Sequence, residues 1–324
     1  SGDAIELGTA EGGSGYLSID LLQGFDTLKQ NGGDWVYDIK KVVNTLNANE
    51  QNPINLSVEA GTVTIDVNPD VQKVGNSDEG FAWFKSIKAD QADQLIAITN
   101  NGELRVSDGI IGNASLTVAK AATTTLINSG SNYSGPTNVL SEGLLVAISE
   151  NALSAKSDHT ISGSLDLGGQ TQRVKSLTLD GGSVSQGSLI ASNGFTTRGG
   201  NIYANLKGLK GLTVESGSTT LWGSNSYLGD TLVNKGTLKA GQRNVFSSNS
   251  ATVIGENGIL DFDGSEQAIK SVSLDGGTIK NGSLNSVGGI TSSGGVIDTL
   301  SGTTGLTATS GLTMLKGQNL YTGS

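Results

Sequence analysis

The stretch Tyr133-Ser134-Gly135-Pro136-Thr137 opens a segment, residues 133–189, whose pattern of glycine, apolar and turn residues returns 94 positions later, from residue 227. The landmarks that recur in the same order are Tyr133 and Tyr227, Gly135 and Gly229, Thr137 and Thr231, Leu165 and Leu260, Leu179 and Leu274, and Leu189 and Leu284. Self-similarity at a fixed period is typical of repeat architectures. The sequence therefore predicts repeats at 133–226 and 227–320, with a third copy beginning at Tyr321.

Composition narrows the class of protein. The 324 residues include 48 glycines and only 3 prolines, and 35% are apolar, which is enough to bury a core. Charged residues make up 15% of the chain and the formal net charge is -10. This balance disfavours nucleic acid and anionic membranes as partners.

Three features bear on where the protein works. The chain has no cysteine, which suits a polypeptide that crosses an oxidising compartment without becoming cross-linked. No apolar run approaches the roughly 18 residues that span a bilayer. No signal peptide is visible at Ser1, so we expect either a cytosolic chain or a processed piece of a secreted one.

Residues 1–50 differ from the remainder and are predicted to form an N-terminal cap. Val36 and Ile39 begin a series of apolar residues at helical spacing, and Asp34 is a suitable N-cap. We therefore expect a short amphipathic helix over residues 35–46.

Residues 51–324 alternate apolar and polar residues in short runs. The runs Ile54-Asn55-Leu56-Ser57-Val58 and Val63-Thr64-Ile65-Asp66-Val67 flank Gly61 and indicate strand, turn and strand. Strands this short leave an apolar face uncovered unless one coil stacks on the next. Stacking would bury Leu177, Leu179, Val184 and Leu189. We therefore predict an all-β parallel β-helix, a solenoid in which each coil contacts only its neighbours.

The repeats resemble the passenger-associated transport repeat of AIDA-type autotransporters, the secreted passenger portions of Gram-negative type V secretion proteins. The match rests on the pattern Tyr-x-Gly-x-Thr-x-Val-x-x-Gly-x-Leu, which runs from Tyr227 to Leu238 and, with one extra residue before Gly143, from Tyr133 to Leu145. The resemblance covers residues 110–324. It implies a right-handed β-helix exported through the periplasm and outer membrane to the cell surface by a C-terminal β-barrel that is missing from this chain.

Few residues suggest catalysis. His159, the one histidine, has no counterpart histidine in the second copy, and we interpret it as a solvated turn residue. Asp261 and Asp263 flank Phe262 and would share a face, but we do not favour them as a catalytic pair. The glycine-rich calcium-binding nonapeptide does not occur in the sequence. We therefore expect no enzymatic activity, no metal and no cofactor.

One basic cluster is a candidate partner-binding site. Its members are Lys207, Lys210, Lys235, Lys239 and Arg243. The second copy has Ser301 and Thr304 where the first has Lys207 and Lys210, so the scaffold does not need these charges. If the cluster forms a stripe on one face, a sulfated glycosaminoglycan is a suitable ligand. An ordinary solvated face is the alternative.

The resemblance leaves the activity open, because autotransporter passengers include adhesins, self-association factors, proteases, lipases and toxins. Our expectation is an adhesin or self-association module that binds a host-cell or matrix protein, a glycan or another copy of itself through many weak contacts. The alternatives are a secreted effector or toxin that acts on a host receptor, and a glycan-degrading β-helix enzyme. Nucleic-acid binding and membrane insertion by this chain are not expected.

Overall fold

A computed structural model describes residues 3–9, 11–18, 25–39, 54–67 and 82–323. The chain divides into two compact units, Ser1–Val174 and Lys175–Ser324. Every regular element in the described ranges is a β-strand, and the paired strands are parallel. Both units are therefore parallel β-solenoids, which confirms the predicted fold class. The right-handed winding implied by the resemblance stays a prediction.

From β7 to β15 each turn of the first unit carries three short strands. Each strand stacks in parallel on its equivalent in the turn before, as β10 does on β7, β11 on β8 and β12 on β9. The strands of this unit are β1 Asp3–Leu7, β2 Ser14–Ser18, β3 Phe25–Gln30, β4 Asp34–Ile39, β5 Ile54–Val58, β6 Thr62–Val67, β7 Ala82–Ala89, β8 Ile96–Asn100, β9 Glu103–Val106, β10 Ile110–Gly112, β11 Ala114–Val118, β12 Thr123–Leu126, β13 Asn132–Tyr133, β14 Thr137–Val139, β15 Leu144–Ala147, β16 Asp158–Ile161 and β17 Ser164–Val174.

The second unit has longer strands that bend around the corners of the turn. Its strands are β18 Ser176–Leu179, β19 Ser183–Ala191, β20 Phe195–Thr197, β21 Gly200–Ile202, β22 Asn205–Lys207, β23 Leu212–Val214, β24 Ser218–Leu221, β25 Thr231–Ala240, β26 Ala251–Asp261, β27 Glu266–Ala268, β28 Ser271–Asn285, β29 Ile290–Gly302, β30 Leu306–Ala308, β31 Thr313–Lys316 and β32 Leu320–Tyr321. Strands β25, β26, β28 and β29 stack in register over most of their length.

The core of each unit is a set of apolar columns that run from turn to turn. The four residues predicted to lie inside, Leu177, Leu179, Val184 and Leu189, are all fully buried. Leu177 stacks directly on Phe195 of the next turn. Burying a side chain of this size stabilises the fold by about 1.5–3 kcal/mol. Alternation along each strand therefore does decide which residues form the core.

The helix predicted over residues 35–46 is wrong where the structure can be compared with it. Residues 35–39 belong to β4, which pairs in parallel with β2 and β6. Tyr37 is buried, and the ring of Trp35 fills space that Gly15 leaves in the preceding turn. Trp35 and Tyr37, two residues apart, thus pack against neighbouring turns as strand residues do. This packing outweighs the helical spacing of Val36 and Ile39. Residues 40–46 lie outside the described residues.

The predicted cap over residues 1–50 stays a prediction, because the structure describes only part of that range. In the described part of that range, β1 pairs in parallel with β3, and β2 with β4, in the manner of the later turns. Strands β3 and β4 pair in turn with β5 and β6. The described strands before residue 40 therefore belong to the solenoid.

The repeated Tyr and Thr residues form a buried polar network. Tyr133 Oη lies 2.5 Å from Thr137 Oγ1, which lies 2.7 Å from Ser157 Oγ, and Ser157 Oγ donates to the Gly135 carbonyl. The second unit repeats the network with Tyr227, Thr231, Ser250 and Gly229. Burial raises the pKa of both tyrosines to about 12, partly offset by these hydrogen bonds, so the hydroxyls stay neutral.

A buried glutamine completes each network by binding the backbone of a loop. Gln172 Nε2 donates to the Ser149 carbonyl, and Gln172 Oε1 accepts from the Leu153 amide. Gln267 does the same in the second unit, with the Gln242 carbonyl and the amides of Val245 and Phe246. The residues that recur between copies therefore hold a loop against the solenoid.

Replacing Gln267 by leucine is expected to lower the free energy of unfolding by about 2–3 kcal/mol, because buried backbone groups lose their hydrogen-bond partners while the side-chain volume is kept. Urea denaturation followed by circular dichroism measures this. The control is Gln242→Ala, which removes an exposed side chain from the same loop and should change stability by less than about 0.5 kcal/mol. Equal effects of the two substitutions would contradict the assigned role of Gln267.

Candidate binding surfaces

The structure does not gather the predicted basic cluster into one stripe. Lys239 Nζ lies 3.1 Å from Asp263 Oδ2, and an Arg243 guanidinium nitrogen lies 2.9 Å from Glu266 Oε2. These pairs are partly exposed and contribute little stability. They nevertheless neutralise two of the five positive charges.

The remaining three lysines are exposed and lie at separate places on the second unit. Lys207 ends β22 opposite Ile190, and Lys235 lies in β25 opposite Asn257. Lys210 lines an open groove together with Leu209, Asn193 and Asp230. A polyanionic chain that follows one column of the solenoid would therefore not meet all five basic residues.

Lys239 instead begins a column in which positive and negative residues alternate from turn to turn. The five members, paired in register, are Lys239, Asp261, Lys280, Asp298 and Lys316. Opposite charges on neighbouring strands attract, whereas a register slipped by one residue would place each charge opposite an uncharged residue. This column therefore helps to fix the register of the turns.

Asp261 and Asp263 lie close together, since the Asp263 amide donates to Asp261 Oδ1, but each is bound to a lysine. Burial alone would raise the pKa of Asp261, yet hydrogen bonds from the Asp263 amide, the Asn281 amide and Lys280 outweigh it and hold the pKa below its ordinary value. A carboxyl that is ionised and fully bonded is poorly suited to general acid catalysis. The geometry favours a structural role.

His159 is not the solvated turn residue that the sequence indicated. It lies in β16 opposite Thr137, and only 1% of its surface is exposed. Its Nδ1 lies 2.9 Å from the Ser157 carbonyl, which can only accept, so Nδ1 carries the proton. Nε2 is buried without a hydrogen-bond partner. Burial lowers the pKa to about 4, against smaller opposing effects of Ser157 and Asp158.

Two kinds of feature are absent from the described ranges. Within them, no group of three or more histidine, aspartate and glutamate residues is placed to hold a metal ion. In the same ranges, no helix is long and apolar enough to cross a membrane.

The first unit presents a largely uncharged face that we call the threonine face. It consists of Thr62 and Thr64 of β6, of Pro136 beside β14, and of the outward residues of β8, β11 and β14, which are Ala97, Thr99, Ser115, Thr117 and Asn138. Asp66 is the third outward residue of β6 and lies at the edge of this face. Thr64, Thr99 and Thr117 lie directly opposite one another on consecutive turns. Asn138 continues that column.

The threonine face is bounded by acidic residues, and Asp66 of β6 is the one acidic residue on its described strands. Thr62 donates a hydrogen bond of 2.9 Å to Asp34 on the turn before. Asp158 begins the strand that follows β14 in the stack. The three consecutive turns of β8, β11 and β14 carry no charged residue on this face. The result is a flat strip of hydroxyl and methyl groups.

Sequence reasoning missed the threonine face because its members are unevenly spaced along the chain. Thr64 and Thr99 are 35 residues apart, whereas Thr99 and Thr117 are 18 apart. The available signal was the recurrence of threonine between two buried apolar residues, as in Val63-Thr64-Ile65 and Leu116-Thr117-Val118. That signal indicates that the threonine faces outward, but it does not show which residues lie opposite one another on neighbouring turns.

Comparison with known proteins adds no relative. No protein-family model matches the chain, and neither a curated protein nor a solved structure matches it significantly.

Proposed function

We propose that the chain is a non-enzymatic self-association module that binds a second copy of itself through the threonine face. The observation that carries this proposal is the run of three consecutive turns, those of β8, β11 and β14, with no charge on that face. The chain as a whole has a net charge of -10. Two copies therefore repel each other, and a face without carboxylates is where contact costs least.

The chemistry of the face suits contact between copies. Threonine is β-branched and stiff about its first side-chain torsion, so ordering it on binding loses little conformational entropy. Each side chain offers a methyl group for packing and a hydroxyl that both donates and accepts. Cross-strand contacts of this kind contribute about 0.2–1 kcal/mol each. Several repeated contacts would together give a specific but reversible association.

The proposal includes a location outside the cell. It is supported by the resemblance of the repeats at Tyr133 and Tyr227 to autotransporter passengers. It also agrees with a chain that has no cysteine and few charged residues. Displayed on a cell surface, the threonine face would join neighbouring cells or neighbouring molecules, with avidity that grows with the number of copies.

Replacing Thr117 by lysine is expected to weaken self-association at least tenfold, because each copy then brings an unpaired charge into the contact. Sedimentation velocity over a range of concentrations measures the dimer fraction. The matched control is Thr123→Lys, which changes a half-buried threonine on β12 of the same turn, outside the threonine face. A wild-type chain that stays monomeric throughout, or equal effects of the two substitutions, would overturn the proposal.

A further inference from the structure

Two aromatic side chains of the second unit are exposed, and they touch each other. Tyr203 is 50% exposed and Trp222 is 37% exposed. Among the described side chains, these are the only aromatic ones that are so exposed. Their ring centroids are 5.8 Å apart, and the planes differ by only 15°. Two exposed rings in a chain with 5% aromatic residues thus form one surface, which we call the aromatic ledge.

The surrounding residues hold the ledge in place. The Trp222 indole nitrogen donates to Asn201 Oδ1 at 3.3 Å. On the next turn Gly241 leaves room for the Trp222 ring, since a Cβ at that position would lie 2.4 Å from it. Gln242 donates to the Trp222 carbonyl. The ring is therefore positioned before any ligand binds, which lowers the entropic cost of binding.

The scaffold does not require the two rings. In the alignment of the repeats, Ile202 matches Ile297 and Leu221 matches Leu315, so Asp298 and Lys316 stand where the first copy has Tyr203 and Trp222. The second copy forms the same stacked strands with those residues. Exposed aromatic surface is costly in water and marks interaction sites more often than scaffold.

We propose that the aromatic ledge binds an uncharged sugar ring of a glycan. The aromatic faces suit the apolar C–H face of a pyranose, and the Asn201 amide nitrogen, which has no partner among the described residues, is placed to donate to a sugar hydroxyl. Lys239 and Arg243 each stand two residues from Gly241, which packs against the Trp222 ring, and they are already paired with Asp263 and Glu266. An uncharged ligand therefore fits this environment better than a sulfated one.

The test uses the full chain and a panel of soluble oligosaccharides. The neutral probes are hexamers of β-1,4-linked glucose and of β-1,4-linked N-acetylglucosamine, and the charged probe is heparin. A peptide rich in proline and tryptophan is included because its side chains also stack on aromatic rings. Isothermal titration calorimetry measures each affinity. We expect at least one neutral oligosaccharide to bind, with a change in Trp emission on binding.

The variant is the double substitution Tyr203→Asp with Trp222→Lys, which installs the pair that the second copy carries and is expected to keep the fold. It should weaken binding of the neutral oligosaccharide at least tenfold. The control is Leu228→Ala, which removes another exposed apolar side chain of the same unit and should leave binding unchanged. Failure of every neutral oligosaccharide to bind, binding of heparin or the peptide alone, or undiminished binding by the double variant would overturn the proposal.

Discussion

Replacing Gly236 by alanine is expected to lower the free energy of unfolding by about 3 kcal/mol or more, whereas Gly181→Ala should lower it by only about 1 kcal/mol. Both glycines belong to the second unit and have positive φ, +91° for Gly236 and +84° for Gly181. The cost of placing alanine in the left-handed region is therefore nearly the same at the two sites.

The difference between the two sites lies in the space around them. A Cβ at Gly236 would stand 2.3 Å from the Gly217 carbonyl oxygen of the turn before, and backbone atoms cannot move aside without breaking the stack. A Cβ at Gly181 would meet nothing within 4 Å. Close approach of neighbouring turns, in addition to φ, thus requires glycine at position 236.

Chemical denaturation of the two variants beside the wild type measures the difference. Similar losses for Gly236→Ala and Gly181→Ala would contradict the close stacking of the turns at that corner, because strain in φ would then explain both.

Lowering the pH from 7 to 4 is expected to remove about 3 kcal/mol of stability through His159 alone. The pKa of this histidine is about 4 in the folded chain and 6.5 in the unfolded chain. As the pH falls below 6.5 the unfolded chain takes up a proton that the folded chain refuses. Stability is therefore complete above pH 6.5 and is lost progressively down to about pH 4.

His159→Thr is the variant that isolates this effect, because the second copy has a buried threonine, Thr252, in the corresponding place. The smaller side chain will lower stability at pH 7, so the quantity to compare is the slope of unfolding free energy against pH. Aspartates and glutamates contribute equally to both slopes. A variant slope as steep as that of the wild type between pH 6.5 and 4 would show that His159 is not buried and neutral.

The alternation of apolar and polar residues was enough to predict the fold class and the inward residues of the strands. The helix prediction failed because Val36 and Ile39 satisfy helical spacing, while Trp35 and Tyr37 satisfy a period of two. What decides between them is the preceding turn, where Gly15 accommodates the Trp35 ring. That contact is between residues distant in sequence, and no local pattern contains it.

The surfaces were less predictable than the core, because turn lengths vary. Lys239, Asp261, Lys280 and Asp298 form one column although they are 22, 19 and 18 residues apart. If every turn had the same length, the alternating charges would have been visible in the sequence. The basic cluster would then not have been predicted as a stripe. The sequence did indicate correctly that the residues shared by the two copies serve the scaffold, since most of them prove to be buried.

Chemical cross-linking of single-cysteine variants tests the proposed self-association most directly, because the chain has no cysteine of its own. Thr117→Cys places one thiol on the threonine face, and Thr123→Cys places one on β12 of the same turn. A monofunctional maleimide first confirms that both thiols react equally in dilute solution. With a flexible bismaleimide at higher concentration, we expect covalent dimers from Thr117→Cys and few from Thr123→Cys. Equal yields, or no dimer from either variant, would contradict association through the threonine face.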